Sequence, residues 1–270
     1  MRHSILLSAL CATATLAAPA YPELNVNAVN PNSVDDLSEY FSLLAQKISS
    51  GKQMSTSPVC DMSKAVLPVD TPTALPAVTE GLTLKHVAIG RGTQNYTCDL
   101  SNSTAVPSAV GAVATLFNAS CVASTYPDLL NMLPRVAMAF NLSESDAYTN
   151  NLVPASTNSR LAPGNYMISG HHYFLSTTTP YFNLDTENWQ LGAAPCSKNA
   201  TQNAPADAPT GQNGEKAVAW LKLKTVDGAT GQLQEVYRVE TAGGSPPATC
   251  TGMSAAFEVQ YSAQYWFYES

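Results

Sequence analysis

The chain has 270 residues, of which 13 are basic and 20 acidic, so its formal net charge is −7 at neutral pH. An acidic chain is repelled by phosphate backbones, and no basic stripe with interleaved aromatic residues is present, so we expect no nucleic-acid binding. Charged residues are scarce and Ser, Thr, Asn, Pro and Gly are abundant. This composition is typical of secreted β proteins with long polar loops.

The first 20 residues have the order of features expected of a secretory signal peptide. Arg2 gives a positive start, residues 5–16 form an apolar run too short to span a bilayer, and an Ala-Pro-Ala sequence ends at Ala20. We expect cleavage after Ala20 and a secreted, extracellular product. No second apolar segment is long enough to cross a membrane, so we expect no membrane partner.

Five Asn-x-Ser/Thr sequences, the acceptor pattern for N-linked glycans, agree with export. They lie at Asn95, Asn102, Asn118, Asn141 and Asn199. Because they occur together with the signal pattern, they predict a glycoprotein.

Five cysteines follow the signal peptide, so at most two disulfides close within one chain and one thiol is left over. They are Cys60, Cys98, Cys121, Cys196 and Cys250. Their spacing lacks the paired C-x-x-C pattern of a zinc site, which favours disulfides in an oxidising compartment. Connectivity does not follow from spacing. Cys98 and Cys121 each end a strand-like run, so we predict that they pair and that two of Cys60, Cys196 and Cys250 form the second bridge.

The clearest helical pattern lies at residues 34–49, where apolar residues recur at helical spacing. Ser33 is placed to cap this helix and Gly51 to end it. A polar linker follows. We therefore interpret residues 21–57 as an N-terminal helical extension with a linker, and residues 58–270 as one β-rich domain.

From about residue 80 the apolar residues alternate with a period of two, which is typical of strands that bury one face. We predict strands at 82–89, 93–98, 110–118, 166–176, 232–240 and 257–267. Gly228 and Gly231 mark a turn that makes 216–240 an antiparallel hairpin.

Between the strands we predict one short helix and two long loops. The helix lies at 128–133, because Pro127 suits a first helical position and Pro134 ends the run. The loops lie at 141–164 and 185–215. The whole pattern predicts an all-β fold, mainly an antiparallel sandwich or barrel, with an N-terminal amphipathic helix and long surface loops.

Several common catalytic motifs are absent from the sequence. Gly90-Arg91-Gly92 lies between two predicted strands with no helix after it, so it is not a dinucleotide-binding loop. There is no G-x-S-x-G, H-E-x-x-H or phosphate-cradling loop. We therefore expect no nicotinamide-dependent dehydrogenase and no cofactor. Whether the protein is another kind of enzyme stays open, because carboxylate pairs meet only in three dimensions.

The imidazoles beyond the signal peptide are His86, His171 and His172. Consecutive side chains of a strand point to opposite faces, so His171 and His172 share a metal ion only if Gly170 allows a bulge. His86 shares its strand face with aliphatic residues. We therefore favour hydrogen-bonded structural roles for the three histidines over a shared metal site.

Aromatic residues are the other candidates for a site. Trp220 lies on the same predicted strand face as Lys222 and Lys224, from which it could stack on a sugar ring, and Trp266 on the last strand could extend that platform. Trp220, Trp266 and His171 are therefore candidate binding residues. The alternative is that a helix or a loop covers this face.

Six segments in order resemble a family of secreted fungal proteins that carries a domain of unknown function. They are HVAIGRGTQNYTC (86–98), GAVATLF (111–117), GHHYFLSTTTPYF (170–182), AVAWLKLKTV (217–226), GQLQEVYRVETAGGSPPATC (231–250) and FEVQYSAQYWFY (257–268). Some members are labelled malate-dehydrogenase-like, and bacterial relatives share a shorter version. The resemblance implies a β-rich secreted domain and no established reaction. It marks Gly92, Gln94, Tyr96, His172, Trp220, Arg238 and Gly243-Gly244 as shared positions, of which Gln94, Tyr96, His172 and Arg238 are candidate catalytic residues.

These observations predict a secreted, monomeric β domain that binds a ligand, with cell-wall or plant polysaccharide or a small molecule as the partner. One alternative is a hydrolase or metal-dependent enzyme that uses His172 with Gln94, Tyr96 or Arg238. Another is a secreted protein that acts on a host without catalysis.

Overall fold

Eight antiparallel strands follow one another around a closed barrel, each bonded to its sequence neighbour and the last to the first. In the computed structural model they are β1 (Thr83–Thr97), β2 (Ser108–Asn118), β3 (Ile168–Ser176), β4 (Thr179–Asp185), β5 (Gln190–Gln202), β6 (Trp220–Thr225), β7 (Leu233–Gly243) and β8 (Ala256–Glu269). Closure pairs β1 with β8 and so removes the free edges of the sheet. The predicted all-β, mainly antiparallel fold is confirmed in its barrel form.

The structure describes residues 60–68, 74–139, 168–186 and 189–270. The predicted helix at 34–49 and the predicted loop at 141–164 lie outside these ranges. Between Cys60 and β1 there is a short 3-10 turn, Met62–Lys64.

Alternation along the strands sorts the side chains into an inner and an outer layer. On β8, Tyr261, Tyr265 and Phe267 pack in the barrel interior, while Trp266 and Tyr268 belong to an outer apolar layer. Residues of the segments 62–68 and 74–82 and two helices pack against this outer layer. Both faces of β8 are therefore buried, although its sequence pattern predicts one largely polar face.

The two helices are α1 (Ser120–Thr125) and α2 (Pro127–Met138). The prediction that Pro134 ends the second helix is wrong, because α2 continues through it. Proline cannot donate to the carbonyl four residues earlier, and here Gln264 Nε2 donates to that Leu130 oxygen instead, at 3.2 Å. Gln264 Oε1 in turn accepts from Trp266 Nε1 at 3.0 Å. Within the described ranges no helix is long and apolar enough to span a membrane.

Three strands differ from those predicted from the sequence. Gly90-Arg91-Gly92 is no break between strands but the middle of β1. A Cβ at Gly90 would overlap the Tyr265 ring, and one at Gly92 would overlap the Val113 carbonyl, so close neighbours explain these glycines. In addition, β5 lies inside the predicted loop at 185–215, and β4 is absent from the predicted strands. The hairpin predicted at 216–240 is confirmed as β6 paired with β7.

All strand pairs in the described part of the chain are antiparallel. A dinucleotide-binding fold requires parallel strands joined by crossover helices. Over these residues the chain therefore has no such fold.

One disulfide lies at each end of the barrel. Cys98 pairs with Cys250, and Cys60 pairs with Cys121, leaving a buried free thiol at Cys196. Two bridges form, as predicted, but the predicted Cys98–Cys121 pair is wrong. Cys98 follows β1 and Cys121 follows β2, and antiparallel neighbours end at opposite ends of the barrel. We call these two ends the Cys98 end and the helix end.

A buried ion pair fastens the segment before β1 to the outside of the barrel. Lys222 Nζ lies 3.0 Å from Glu235 Oε1, with both side chains at most 3% exposed, and it donates to the Ala77 oxygen at 2.6 Å. Thr79 donates to both carboxylate oxygens of Glu235, from its backbone nitrogen and its hydroxyl. Burial by itself would raise the pKa of Glu235, but the bonds from Thr79 and Lys222 and the lysine charge outweigh it and lower the pKa.

We predict that Lys222→Met destabilises the fold by about 3–5 kcal/mol, because it leaves the Glu235 carboxylate buried without its cation. The matched control is Lys224→Met. Lys224 is 49% exposed and lies 3.9 Å from the same carboxylate, so its removal should cost less than about 1 kcal/mol. Chemical denaturation at pH 7 measures both, and equal costs would contradict the assigned roles.

The same variant pair predicts a pH dependence. Because the pKa of Glu235 is lowered on folding, its contribution is present above its unfolded pKa and is lost as pH falls through the folded one. The difference between wild type and Lys222→Met should therefore shrink in acid.

Candidate functional site

The four candidate catalytic residues all face the barrel interior and are at most 8% exposed. Gln94 lies opposite Ala112, His172 opposite Ala114 and Phe182, and Arg238 opposite Leu221 and Tyr265. These partners belong to the inner apolar layer, and residues directly opposite one another share a face.

Tyr96 lies two residues beyond Gln94 on β1 and therefore on the same inner face. Its hydroxyl donates to the Gly244 carbonyl at 2.8 Å. A Cβ at Gly244 would meet Tyr261 and Gln94, which places this group of residues close together at the Cys98 end.

Arg238 lies at the centre of this interior group. Its positive charge influences the pKa values of Tyr96, His172, Tyr261 and Tyr265, so all four lie within its electrostatic reach. Its guanidinium donates twice to one oxygen, the Ala219 carbonyl, at 2.8 Å from Nη2 and 3.3 Å from Nε. Among the ion pairs of the described residues none involves Arg238.

Arg91 shows how a buried arginine is satisfied elsewhere in this fold. It faces outward and donates to the carbonyls of Ala137 at 3.0 Å, Gly92 at 3.0 Å and Tyr261 at 3.3 Å, and to the Gln260 side chain. Burial lowers its pKa to about 9, an effect that the nearby Tyr261 opposes. Arg91 is thus bonded to several oxygens, and Arg238 to the Ala219 carbonyl, with the Tyr265 hydroxyl within hydrogen-bonding reach.

Three buried side-chain atoms of the described residues lack a hydrogen-bond partner: Gln94 Nε2 in the interior, and His171 Nδ1 and Trp220 Nε1 on the outer side of the sheet. Gln94 Nε2 makes no hydrogen bond of normal geometry with any described residue. It lies near enough to the Tyr261 hydroxyl to lower that group's pKa slightly against the large rise caused by burial. An unsatisfied buried donor costs about 1–3 kcal/mol. Such a group is explained if something outside the protein accepts its bond.

Aromatic rings line the middle of the interior. His172 stacks on Phe182 with ring centroids 4.3 Å apart, and the Tyr265 ring lies 5.7 Å from it. The hydroxyls of Tyr261 and Tyr265 share a hydrogen bond of 2.8 Å. Burial raises the pKa of both tyrosines, so both hydroxyls stay protonated at neutral pH.

His172 is a neutral histidine with a fixed tautomer. Its Nδ1 lies 2.9 Å from the Tyr181 carbonyl oxygen, which only accepts, so Nδ1 carries the proton and Nε2 is an acceptor. Burial lowers the pKa of His172 to about 3, opposed by the Tyr181 bond and assisted by the Arg238 charge.

The other two histidines lie elsewhere. His86 is held near the helix end, 2.8 Å from the Ser169 hydroxyl and 3.0 Å from that of Ser120, and burial lowers its pKa to about 3. His171 faces outward, opposite Thr115, while its neighbour His172 faces inward. Within the described ranges no three His, Cys, Asp or Glu side chains are arranged to hold a metal ion.

The aromatic platform predicted from the sequence is not available at the surface. Trp220 is 1% and Trp266 0% exposed, and both lie in the outer apolar layer. The structure thus agrees with the alternative, in which a helix or a loop covers this face. Neither ring can stack on a sugar without displacing that cover.

Sequence reasoning did not single out Tyr261 and Tyr265. The available signal was the alternation on β8, which puts them on the same face as Phe257 and Phe267. That face is apolar enough to indicate core and gives no sign that two hydroxyls meet there.

The glycan acceptors differ in accessibility. Asn102 and Asn199 are exposed, while Asn95 and Asn118 are half-buried within β1 and β2. The Asn118 side chain also accepts from the Ser120 nitrogen at the start of α1, at 3.0 Å. Asn141 lies outside the described residues.

We predict that His172→Phe flattens the acid dependence of stability. The pKa of His172 is about 3 when folded and about 6.5 when unfolded, so the unfolded state binds the proton first. The free energy of unfolding therefore falls as pH drops from about 6.5 toward 3, by up to about 1.4 kcal/mol per pH unit for this group. Urea denaturation at pH 8, 6, 5 and 4 should show a correspondingly shallower slope in the variant. An unchanged slope would mean that His172 titrates equally in both states.

Comparison with known proteins assigns a family and no activity. Residues 78–269 match a family model described as protein of unknown function (DUF3455), a region that contains all eight strands. No curated protein and no solved structure matched the chain. The chain belongs to the DUF3455 family.

Proposed function

We propose that this DUF3455 protein is a secreted binding protein whose barrel interior takes one small molecule at the Cys98 end. The observation that carries the proposal is the buried polar group of Arg238 and Gln94, whose bonding capacity the described residues do not fill. Eight-stranded barrels have interiors that side chains fill or that hold one small ligand. A protein that keeps such polar groups inside does so at a cost to stability, which ligand binding explains.

The two ends of the interior support entry from the Cys98 end. Phe174 and Leu221 face inward there and are only half-buried. At the helix end, His86 is bonded to Ser169 and Ser120 and packs near the Phe267 ring at 5.9 Å. Leu191, at the start of β5 at the helix end, is half-buried as well, so it is the position of the polar group that favours entry from the Cys98 end.

The geometry supports a small molecule better than a polysaccharide. A polymer chain would need an exposed aromatic surface, and Trp220 and Trp266 are buried. It also supports binding better than hydrolysis. A general base works best with a pKa near the working pH, whereas burial holds that of His172 near 3.

Several features support the extracellular part of the proposal. Two disulfides are typical of oxidising compartments, Asn102 and Asn199 are exposed acceptors, and the sequence motifs resemble those of secreted fungal proteins. The closed barrel leaves no free edge for a second copy to extend, which supports a monomer.

Thermal unfolding with a panel of small molecules tests the proposal. The panel contains neutral sugars, benzyl alcohol, aliphatic and aromatic carboxylates with their amides, and phosphate esters. At 100-fold excess over Kd, a compound that binds the folded state stabilises it by about 2.7 kcal/mol. We expect at least one class to raise the Tm of the wild type.

A variant with a filled interior locates the site. Ala112 lies opposite Gln94 and is 2% exposed, so Ala112→Leu should abolish the stabilisation. Ala256→Leu makes the same change at an exposed position and should respond as the wild type does. If no compound stabilises the wild type, or both variants respond alike, the interior is not the site. Retention on insoluble chitin or glucan would favour the polysaccharide partner instead.

A further inference from the structure

We propose that the group recognised in the barrel interior is a carboxylate, held by Arg238 and Gln94, with the apolar body of the ligand against Phe174 and Leu221. This inference rests on the proposed function and adds the chemical class of the ligand.

The first argument is that the unbonded polar groups of the interior are donors. Arg238 has five N–H donors and Gln94 has two on its amide nitrogen. Two of the Arg238 donors bond the Ala219 oxygen, and the Tyr265 hydroxyl is a further acceptor within its reach. Gln94 Nε2 has no bond of normal geometry among the described residues. The Tyr96 hydroxyl already donates to Gly244. The interior thus has donors in excess, and a ligand that fits it must supply acceptors.

The second argument is the charge. Among the buried inward-facing residues that the structure describes, Arg238 is the sole cation. A buried charge without a counter-ion is costly, and a bound anion removes that cost. One guanidinium matches one negative charge. The fork of a guanidinium also pairs with the two oxygens of a carboxylate through parallel bonds.

A phosphate group fits this surrounding less well. It carries more negative charge at neutral pH, and phosphate sites usually add a second cation or a helix N-terminus. His172 supplies no such charge, since its Nε2 is an acceptor. Among the described ion-pairing lysines, Lys222 and Lys224 lie on the outer face of β6.

The third argument concerns the rest of the ligand. Phe174 and Leu221 pack on the inner apolar layer but are only half-buried, and both lie at the Cys98 end of their strands. A ligand whose carboxylate reaches Arg238 from this end places its remaining atoms beside them. The class is therefore a monocarboxylate with an aromatic or short aliphatic body.

Matched pairs of probes test the class by calorimetric titration. Benzoate is compared with benzamide, and hexanoate with hexanamide, because each pair keeps its shape and differs in charge. Phenyl phosphate is the third arm. We expect the wild type to bind each carboxylate at least about tenfold more tightly than its amide, since a hydrogen bond to a charged group contributes about 1.5–3 kcal/mol. Affinity should not change between pH 6 and 8.

Three variants assign the residues. Arg238→Met should weaken carboxylate binding about 10- to 100-fold and leave amide binding unchanged. Arg135→Met removes an arginine from the exposed face of α2 and should bind as the wild type does. Gln94→Glu places a carboxylate in the interior as a built-in anion, so it should abolish benzoate binding and raise the Tm of the unliganded protein.

The outcomes are distinguishable from those of the proposed function. If benzamide binds as tightly as benzoate and Ala112→Leu abolishes both, the interior is the site but the class is wrong. Tighter binding of phenyl phosphate also overturns the class. If no probe of the three arms binds, the inference fails, and the wider panel decides the proposed function. Should Arg238→Met not fold, Gln94→Glu decides alone, and retained benzoate binding with a lower Tm contradicts the inference.

Discussion

The pairing of β1 with β8 is the constraint on which the other features depend. These strands lie far apart in the sequence and pair along nearly their whole lengths. Without that pairing the sheet would have two free edges and no enclosed interior. With it, every second side chain of each strand points into the barrel interior. The remaining side chains, many of them apolar, point outward and must be shielded from water by other parts of the chain. Residues of the segments 62–68 and 74–82 and the two helices supply that cover.

The buried charged groups of the two layers differ in their partners. In the outer layer Lys222 is paired with Glu235, Gln264 bonds the carbonyl freed by Pro134, and Arg91 bonds several oxygens. Two outward-facing groups, His171 Nδ1 and Trp220 Nε1, make no hydrogen bond with a described residue. In the inner layer Arg238 and Gln94 have N–H donors that make no hydrogen bond of normal geometry with the described residues. The inner-layer cation Arg238 thus has neither the carboxylate partner of Lys222 nor the several oxygens of Arg91, which fits a role in ligand recognition.

The sequence predicts the parts of the fold that local pattern controls. Alternation on β2, β7 and β8 and the glycine turn before β7 predict antiparallel strands, and the opposite directions of His171 and His172 follow from strand geometry alone. The continuation of α2 through Pro134 does not follow, because it depends on Gln264, 130 residues away. The prediction of the disulfide partners fails for the same reason. The sequence does not say which strand ends lie together, because that depends on the whole topology.

The site is predictable in its members but not in its arrangement. The family resemblance marks Gln94, Tyr96, His172 and Arg238, and nothing local says that they face one interior. Trp220 misleads because its flanking lysines indicate an exposed face, whereas Lys222 is itself buried with Glu235. The sequence does not indicate Tyr261 and Tyr265 as site residues, because a tyrosine on an apolar strand face has the pattern of a core residue.

A crystal structure of the protein with 4-bromobenzoate tests the central claim most directly, because the anomalous signal of bromine locates the ligand independently of its shape. The account predicts bromine inside the Cys98 end of the barrel, with the carboxylate in bidentate contact with Arg238 at about 2.7–2.9 Å. Bromine found only on the outer surface, or Arg238 paired with an aspartate or glutamate of the protein itself, would contradict it.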